Sequence, residues 1–277
     1  MKKIILILVS TLFLGISLFV YIRIYSKNDF RILFFDVGQG DSALINFENG
    51  EKMLIDCGPD NKILYKLGKY LPFWDRKIDY LVISHFDLDH YGGCVDVLKR
   101  YKVSQVIENG MPGTDEYYYS FKEILENNKM IATKIISGYE KDIISSSTIE
   151  FLWPLSSVKI GGDNNNSVVL KITNASTTVL FTGDLEIRGE EEILKKYCFN
   201  ESNHFGCQTL KAEILKIGHH GSSGSSSEEF LQAVSPKFAI ISVGENKFDH
   251  PSLRVLNKLE RLGLTAQRTD MLGDILK

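Results

Sequence analysis

Six consecutive residues, His85 to His90, carry two imidazoles and two carboxylates in the order His-x-Asp-x-Asp-His. Imidazole nitrogens and carboxylate oxygens are donors that divalent first-row metals select. The cluster follows Ile78-Asp79-Tyr80-Leu81-Val82-Ile83, an apolar run of strand length. Residues 84–93 therefore read as a metal-binding loop at the C-terminal edge of a sheet. Three more polar groups follow apolar runs: Gly183-Asp184, His219-His220-Gly221-Ser222 and Asp249-His250-Pro251-Ser252. Every histidine except His204, expected in an exposed loop, falls in one of these clusters. Loops at one sheet edge are where sites are assembled.

Two closely spaced divalent ions need about four or five protein ligands each, one carboxylate being shared. His85, Asp87, Asp89, His90, Asp184, His220 and His250 match that requirement. His85 and Asp87 can serve one ion while Asp89 and His90 turn to the other. Asp184, alone in a Gly-Asp turn, can bridge both. A water shared by the ions then loses a proton near neutral pH and becomes a bridging hydroxide nucleophile. Asp89, Asp184 and His250 are the expected catalytic residues. The competing readings are a solvated polar loop for residues 85–90, a turn cap for Asp184 and a helix cap for His250.

The elements that must hold these groups follow from pattern. Residues 32–37, 43–47, 53–55 and 80–83 read as strands, and 61–71 and 92–101 as helices. Strand 103–107, helix 115–127 and strand 131–136 complete the first half. The second half has strands at 148–152, 167–172, 177–182, 212–217, 238–243 and 264–268, with helices at 185–197, 226–232 and 251–262. Ser226 is a candidate N-cap, with Glu229 three residues on. A loop over 138–147 divides the halves, and 197–209 is an irregular connection. Strands followed by alternating β and α, twice, predict two sheets packed face to face with helices outside. Gly38-Gln39-Gly40 is a turn, because it lacks the lysine and following helix of a phosphate loop. The run Tyr117-Tyr118-Tyr119 with Phe121 fits base stacking or core packing with one tyrosine exposed.

At the N-terminus, residues 4–22 are apolar apart from Ser10, Thr11, Ser17 and Tyr21, the length of a membrane span. An uncleaved signal anchor is expected over residues 1–28, ending in the linker Ser26-Lys27-Asn28-Asp29. A cleaved signal peptide is the alternative. The slight excess of positive charge before the run places the following domain, residues 29–277, outside the membrane. The chain carries a net charge of −3, of which the first 30 residues hold +3, leaving −6 on the body. An acidic body excludes nonspecific wrapping of nucleic acid, though not a hydrolase that meets phosphates through metal ions. The four cysteines are too few for a disulfide scaffold and fit no zinc knuckle. Free buried thiols are expected, with Cys57 and Cys94 as small packing residues; Cys198 and Cys207 can pair in an oxidising compartment.

The chain resembles metallo-β-lactamase-fold hydrolases, and more narrowly the hydrolase domain of the ComEC competence proteins and its free-standing relatives. The matching segments are Phe35-Asp36-Val37-Gly38-Gln39-Gly40-Asp41-Ser42, Ile55-Asp56-Cys57-Gly58, the 84–93 stretch, Asn165-Asn166-Ser167, Phe181-Thr182-Gly183-Asp184, His219-His220-Gly221-Ser222, His250-Pro251-Ser252 and Arg268-Thr269-Asp270. They run in family order over roughly residues 31–270. The resemblance implies an αββα sandwich of two mixed β-sheets. It also implies two divalent ions, zinc or manganese, with Asp87 in the place where most of the superfamily has a histidine. That carboxylate is a harder ligand and leans the site toward manganese. The histidine expected before the bridging Asp is missing. His220, in preference to His219, and His250 are implied as the remaining imidazoles. Asn166 and Ser167 are implied to orient water or substrate, Asp36, Asp41 and Asp56 to brace the site, and Ser222 to lie at its margin. The implied activity is phosphodiester hydrolysis of DNA or a phosphodiester-bearing surface polymer. β-Lactam or lactone hydrolysis and a non-catalytic binding module are the alternatives.

Overall fold

The computed structural model describes residues 2–25, 29–156, 161–175, 177–198 and 207–277. The predicted linker residues 26–28, His204 and most of the irregular connection lie outside the described residues. Helix α1 (Lys2–Tyr25) comes first. The first half contains β1 (Arg31–Phe34), β2 (Ala43–Asn46), β3 (Lys52–Ile55), α2 (Lys62–Tyr70) and β4 (Lys77–Val82). It continues with α3 (Leu88–Tyr91), α4 (Cys94–Arg100), β5 (Lys102–Glu108), α5 (Glu116–Asn127) and β6 (Ala132–Ile135). The second half has β7 (Glu140–Ile144), β8 (Ser147–Trp153), β9 (Val169–Asn174), β10 (Thr177–Phe181), α6 (Ile187–Tyr197) and β11 (Ile214–Lys216). Then come α7 (Glu228–Val234), β12 (Phe238–Ile241), α8 (Leu253–Arg261), β13 (Ala266–Arg268), α9 (Thr269–Leu272) and β14 (Ile275–Leu276).

Two seven-stranded sheets result, ordered β14-β1-β2-β3-β4-β5-β6 and β13-β12-β11-β10-β9-β8-β7. In the first, β1 to β3 form an antiparallel meander and β3 to β6 are parallel. In the second, β7 to β10 are antiparallel and β10 to β13 parallel. The parallel strands need crossovers, and the helices supply them on the outer faces. One buried cluster lies between the sheets, where Phe34 stacks on Phe181 at 5.6 Å. Two further clusters pack the helices against the outer face of each sheet. Among the described side chains of α1, Lys2 to Leu18, none belongs to any of the three.

The expected loop over 138–147 is instead largely β7, an edge strand. Its polar residues disguised it: Glu140 and Asp142 reach across to Lys134 of β6, at 2.9 and 2.7 Å, and so fasten the edges of the two sheets. Helix α7 is capped by Ser227, not Ser226. Helix α8 begins two residues later than expected, capped by Ser252, whose hydroxyl accepts from the Val255 N–H. His250 is therefore not its cap. The predicted apolar N-terminal run forms α1, with its described side chains exposed from Lys2 to Leu18. Among the described residues no helix is long and apolar enough to cross a membrane.

The free-thiol expectation is overturned. Cys57 is bonded to Cys94, and Cys198 to Cys207. Sequence spacing could not show the first pair, because Gly93 decides it. A Cβ there would lie 2.4 Å from the Asp60 carbonyl oxygen and 2.5 Å from that of Cys57. Only glycine lets the start of α4 approach the strand-end loop this closely.

Strand β14 returns to the first sheet and delivers Asp274 to a buried cluster. Its carboxylate accepts from Lys66 (2.6 Å), Lys69 (3.1 Å), the Tyr70 hydroxyl (3.0 Å) and the Asp36 N–H (3.0 Å). Burial alone would raise its pKa, but these donors outweigh burial and hold it below the ordinary value. A depressed native pKa stabilises the fold above the unfolded value, about 3.9, and the gain is lost as pH falls through the native one. Asp274→Ala leaves Lys66 buried without its nearest partner. It is expected to cost about 3 kcal/mol in urea unfolding at pH 7, with the gap to the unsubstituted chain closing in acid.

Candidate metal centre

The loops after β3, β4, β10, β11 and β12 meet at one edge of the sandwich. His85 follows β4 and is buried; His90 lies in α3; His220 sits in a short turn after β11 and is also buried. Each imidazole is held through Nδ1. His85 Nδ1 lies 3.0 Å from the Ser84 hydroxyl, His90 Nδ1 is 2.9 Å from Asp56 Oδ2, and His220 Nδ1 is 2.8 Å from the Ser242 carbonyl. Fixing one ring nitrogen in this way orients the other toward a metal. All three Nε2 atoms, and Oδ1 of Asp184, are buried without a hydrogen-bond partner. Such orphaned atoms are costly unless a ligand satisfies them.

These atoms converge. His90 Nε2 is 3.1 Å from Asp184 Oδ1, and His220 Nε2 is 3.2 Å from Asp89 Oδ2 and 3.4 Å from Asp184 Oδ2. Among the described residues, three triads of potential ligand atoms each lie within 4.8 Å of one another: His85–His90–Asp184, Asp89–His90–His220 and Asp41–Asp56–His90. Asp87, partly exposed, lies 3.4 Å from His85 Nε2. The donor set, the orphaned atoms and the oriented rings fit two divalent ions. Burial would raise Asp184, yet His220 and His90 hold it well below the usual carboxylate range. Reciprocally, burial would lower both imidazoles, but Asp184, with Asp56 for His90 and Asp41 for His220, raises them well above the ordinary value. Burial is likewise outweighed at Asp89, which His220 and His90 hold low.

Backbone geometry marks the same place. Asp56, His219, His220 and Asp249 adopt positive φ values of 55°, 49°, 52° and 58°. Non-glycine residues in this region cost about 1–3 kcal/mol each and persist where the surroundings demand them. The Gly38-Gln39-Gly40 turn has a direct role in the loop geometry. A Cβ on Gly40 would lie 2.2 Å from the Asp89 carbonyl oxygen, which accepts instead from the Asp41 N–H.

The remaining expected residues divide. Asp56 accepts from the Ser84 N–H and hydroxyl as well as facing His90. Asp41 lies 3.3 Å from His220 Nδ1. Ser167 lies 3.4 Å from His85 Nδ1 and accepts from the Asp184 N–H. His219 stands at the margin, with Nε2 3.7 Å from Asp184 and Nδ1 3.4 Å from Glu186. His250 is also at the rim, its ring 5.3 Å from that of His219. Asp36 is not brought into the cluster; it faces Lys62 and Lys66 of α2. The Asn166 amide donates to the Gly162 carbonyl, and Ser222 accepts from the Gly224 N–H, shaping loops. Phe121 is core, whereas Tyr117 and Tyr119 are both exposed, one more than expected.

Sequence reasoning missed Lys216. It is buried at the end of β11, paired with Asp41, and its ammonium donates to the Gly183 carbonyl at 3.1 Å. A lysine inside an apolar strand two residues before Gly-His-His was the available signal. Beside the centre opens a cavity of about 300 Å³ lined by His85, Asp87, Asp89, Met111, Asp115 and Asp163 among others. Asp56→Asn keeps the shape but weakens the bond that orients His90. It is expected to lower metal affinity about 10- to 100-fold, read by competitive chelator titration.

A two-sheet sandwich with this edge cluster defines a metal-binding scaffold of the kind metal-dependent hydrolases use, and residues 35–245 match the Metallo-beta-lactamase superfamily. The chain belongs to that superfamily. Within it, the chain is 31% identical to ComE operon protein 3 of Bacillus subtilis over 93% of its own length and 34% of that protein's. It is 33% identical to Competence protein ComA of Neisseria gonorrhoeae, over 89% of this chain and 32% of the relative. Recombination protein 2 of Haemophilus influenzae is 29% identical, over 90% and 29%. These relatives are ComEC-family competence proteins, and the chain spans about a third of their length. Among solved structures, the metallo-beta-lactamase fold protein YhfI from Bacillus subtilis superposes with a TM-score of 0.57 at 13% identity, over 90% of this chain and 99% of that one. Zn(2+)-bound PqqB from Methylobacterium extorquens gives 0.56 at 11%, over 89% and 99%.

Proposed function

We propose that the chain is a two-metal phosphodiesterase that works outside a membrane on DNA or a phosphodiester-bearing surface polymer. The observation that carries this reading is the convergence of buried, partnerless His85 Nε2, His90 Nε2, His220 Nε2 and Asp184 Oδ1. In this reading His85, Asp87 and Asp184 hold one ion, and Asp89, His90, Asp184 and His220 the other. His250 and His219 stand at the rim, where they can reach substrate. Bound divalent ions, zinc or manganese, supply Lewis acidity and lower the pKa of water. The chain's own residues set the charge. Asp87, Asp89 and Asp184 would offset three of the four positive charges of two divalent ions, and a hydroxide held between the ions would offset the fourth. Asp56 and Ser84 hold the imidazoles, and Lys216 neutralises Asp41 beneath them.

Two further observations favour this setting. One relative is named for recombination, a process of DNA. The Cys57–Cys94 and Cys198–Cys207 bonds suit an oxidising compartment. We read α1, with its linker to residue 28, as the membrane anchor and residues 29–277 as the hydrolase domain. A 24-residue helix is about 36 Å long; its described side chains end at Leu18, short of a full span, and its sequence stays apolar to Ile22. The test is to purify the chain, measure bound metal, and assay bis-p-nitrophenyl phosphate, single-stranded DNA, a phosphorylcholine ester and a cephalosporin with manganese or zinc. Phosphodiester turnover is expected. Cephalosporin turnover alone would overturn the substrate class, and absence of metal above background would overturn the enzyme reading.

A further inference from the structure

Strands β1, β3, β4, β5 and β6 all point the same way. The metal-ligand loops leave their C-terminal ends. At the opposite edge the chain enters β1 at Arg31, β4 at Lys77 and β5 at Lys102. Just before β4, Phe73 and Trp74 project from the surface, 79% and 55% exposed, in edge-to-face contact at 4.8 Å. Aromatic pairs of this kind are normally covered. The chain emerging after α1 lies beside them, since Asp29, Arg31, Leu71, Pro72 and Asp75 line one shared cavity.

The same edge is basic although the body is acidic. Arg76, Lys99, Arg100 and Lys102 are exposed, and among the described residues none of them forms an ion pair. They are neighbours: the Lys102 N–H donates to the Arg76 carbonyl at 2.7 Å. The acids nearby are already engaged, Asp75 with Lys52 at 2.9 Å and Asp79 with Lys77. The metal edge, by contrast, presents Asp87, Asp89 and Asp163.

We propose that the edge carrying Phe73, Trp74, Arg76 and Lys102 rests on an anionic lipid surface, so that the metal centre faces away from the bilayer. This rests on the reading of α1 as a membrane anchor. Phe73 and Trp74 sit at headgroup level, where amphipathic aromatic rings are favoured. The four cations, none of them in an ion pair among the described residues, meet the anionic lipids, with Arg76 placed by its Nε donating to the Phe73 carbonyl at 3.2 Å. Strand β4 spans six residues, so about 20 Å of sheet separates this foot from the metal loops. The site therefore opens to the aqueous side and takes a substrate that arrives from there, not the headgroups of its own membrane.

The chain contains two tryptophans, Trp74 and the fully buried Trp153, so a Trp74→Phe variant isolates the Trp74 signal by difference. The full chain is reconstituted in vesicles of phosphatidylcholine and phosphatidylglycerol (3:1), with lipids brominated near the carbonyl. Trp74 emission is expected to be quenched. Each cation contributes about fivefold, so Arg76→Gln with Lys102→Gln is expected to shift the docked-to-undocked ratio about 25-fold. Pure phosphatidylcholine removes the partner of all four cations and is expected to weaken quenching more than the double variant does. If the chain floats with the vesicles but Trp74 is not quenched, the docking surface is overturned and the anchor stands. If it does not float, both readings fall. If Trp74 responds to single-stranded DNA and not to vesicles, the edge is a nucleic-acid surface and the proposal is overturned.

Discussion

Asp184→Ala is expected to abolish hydrolysis while leaving the fold intact. Among the described residues, Asp184 is the one carboxylate that lies within 3.4 Å of both His90 and His220, and it also belongs to the triad with His85. Its removal takes a ligand from both proposed metals at once. The turn that carries it is held independently of the carboxylate, by the Asp184 N–H donating to Ser167 and the Gly183 carbonyl accepting from Lys216. Loss of at least about a thousandfold in kcat/KM is expected, equivalent to about 4 kcal/mol of transition-state stabilisation. Metal content measured on the same sample should fall with it, and circular dichroism should not change. Turnover retained in the variant would refute a bridging role. The metal-free variant is also expected to unfold more easily, because His90 and His220, raised chiefly by this carboxylate against burial, lose their counter-charge.

Breaking Cys57–Cys94 is the second large effect. The bond spans 37 residues, and both cysteines are fully buried. Closing a loop of that length in the unfolded chain is worth about 4 kcal/mol. The loop it closes contains β3's exit, α2, β4 and the whole His85–His90 segment. On one side Cys57 follows Asp56, which orients His90; on the other Cys94 opens α4 directly after the ligand loop. The Cys57 N–H also donates to the His90 carbonyl at 2.6 Å. A Cys57→Ala, Cys94→Ala double variant is therefore expected to lose about 4 kcal/mol in urea unfolding and to bind metal more weakly. Free-thiol titration of the unreduced, denatured chain should find none from this pair. Two titratable thiols there, or unchanged unfolding of the variant, would show that the bond contributes nothing.

Much of the site was legible because metal chemistry restricts residue type. Histidines concentrated after apolar runs, and a Gly-Asp turn, mark His85, His90, the His219-His220 pair and Asp184 from residue type alone. The strands of the parallel regions were equally legible, since burial on both faces makes them continuous apolar runs. Edge strand β7 was not, because an edge tolerates Glu140 and Asp142, and polar residues spaced as they are in a loop carry no strand signal. Lys216 was hidden for the opposite reason. A charged residue in a buried strand looks like an exception until its partner, Asp41, is brought to it from 175 positions away in the chain.

The sequence by itself determined the donor inventory, the loops that carry it and the two-layer sandwich, since each depends on residue type and short-range periodicity. Tertiary structure alone decided which donors meet. His219 and His220 are adjacent and chemically identical, yet successive positive φ angles turn His220 inward and leave His219 at the margin. Asp36 and Asp41 flank the same turn, yet one faces α2 and the other His220. Two cysteines read as packing residues are joined because Gly93 permits a close approach. Long-range proximity arises from strand order and packing, and no local pattern in the chain records it.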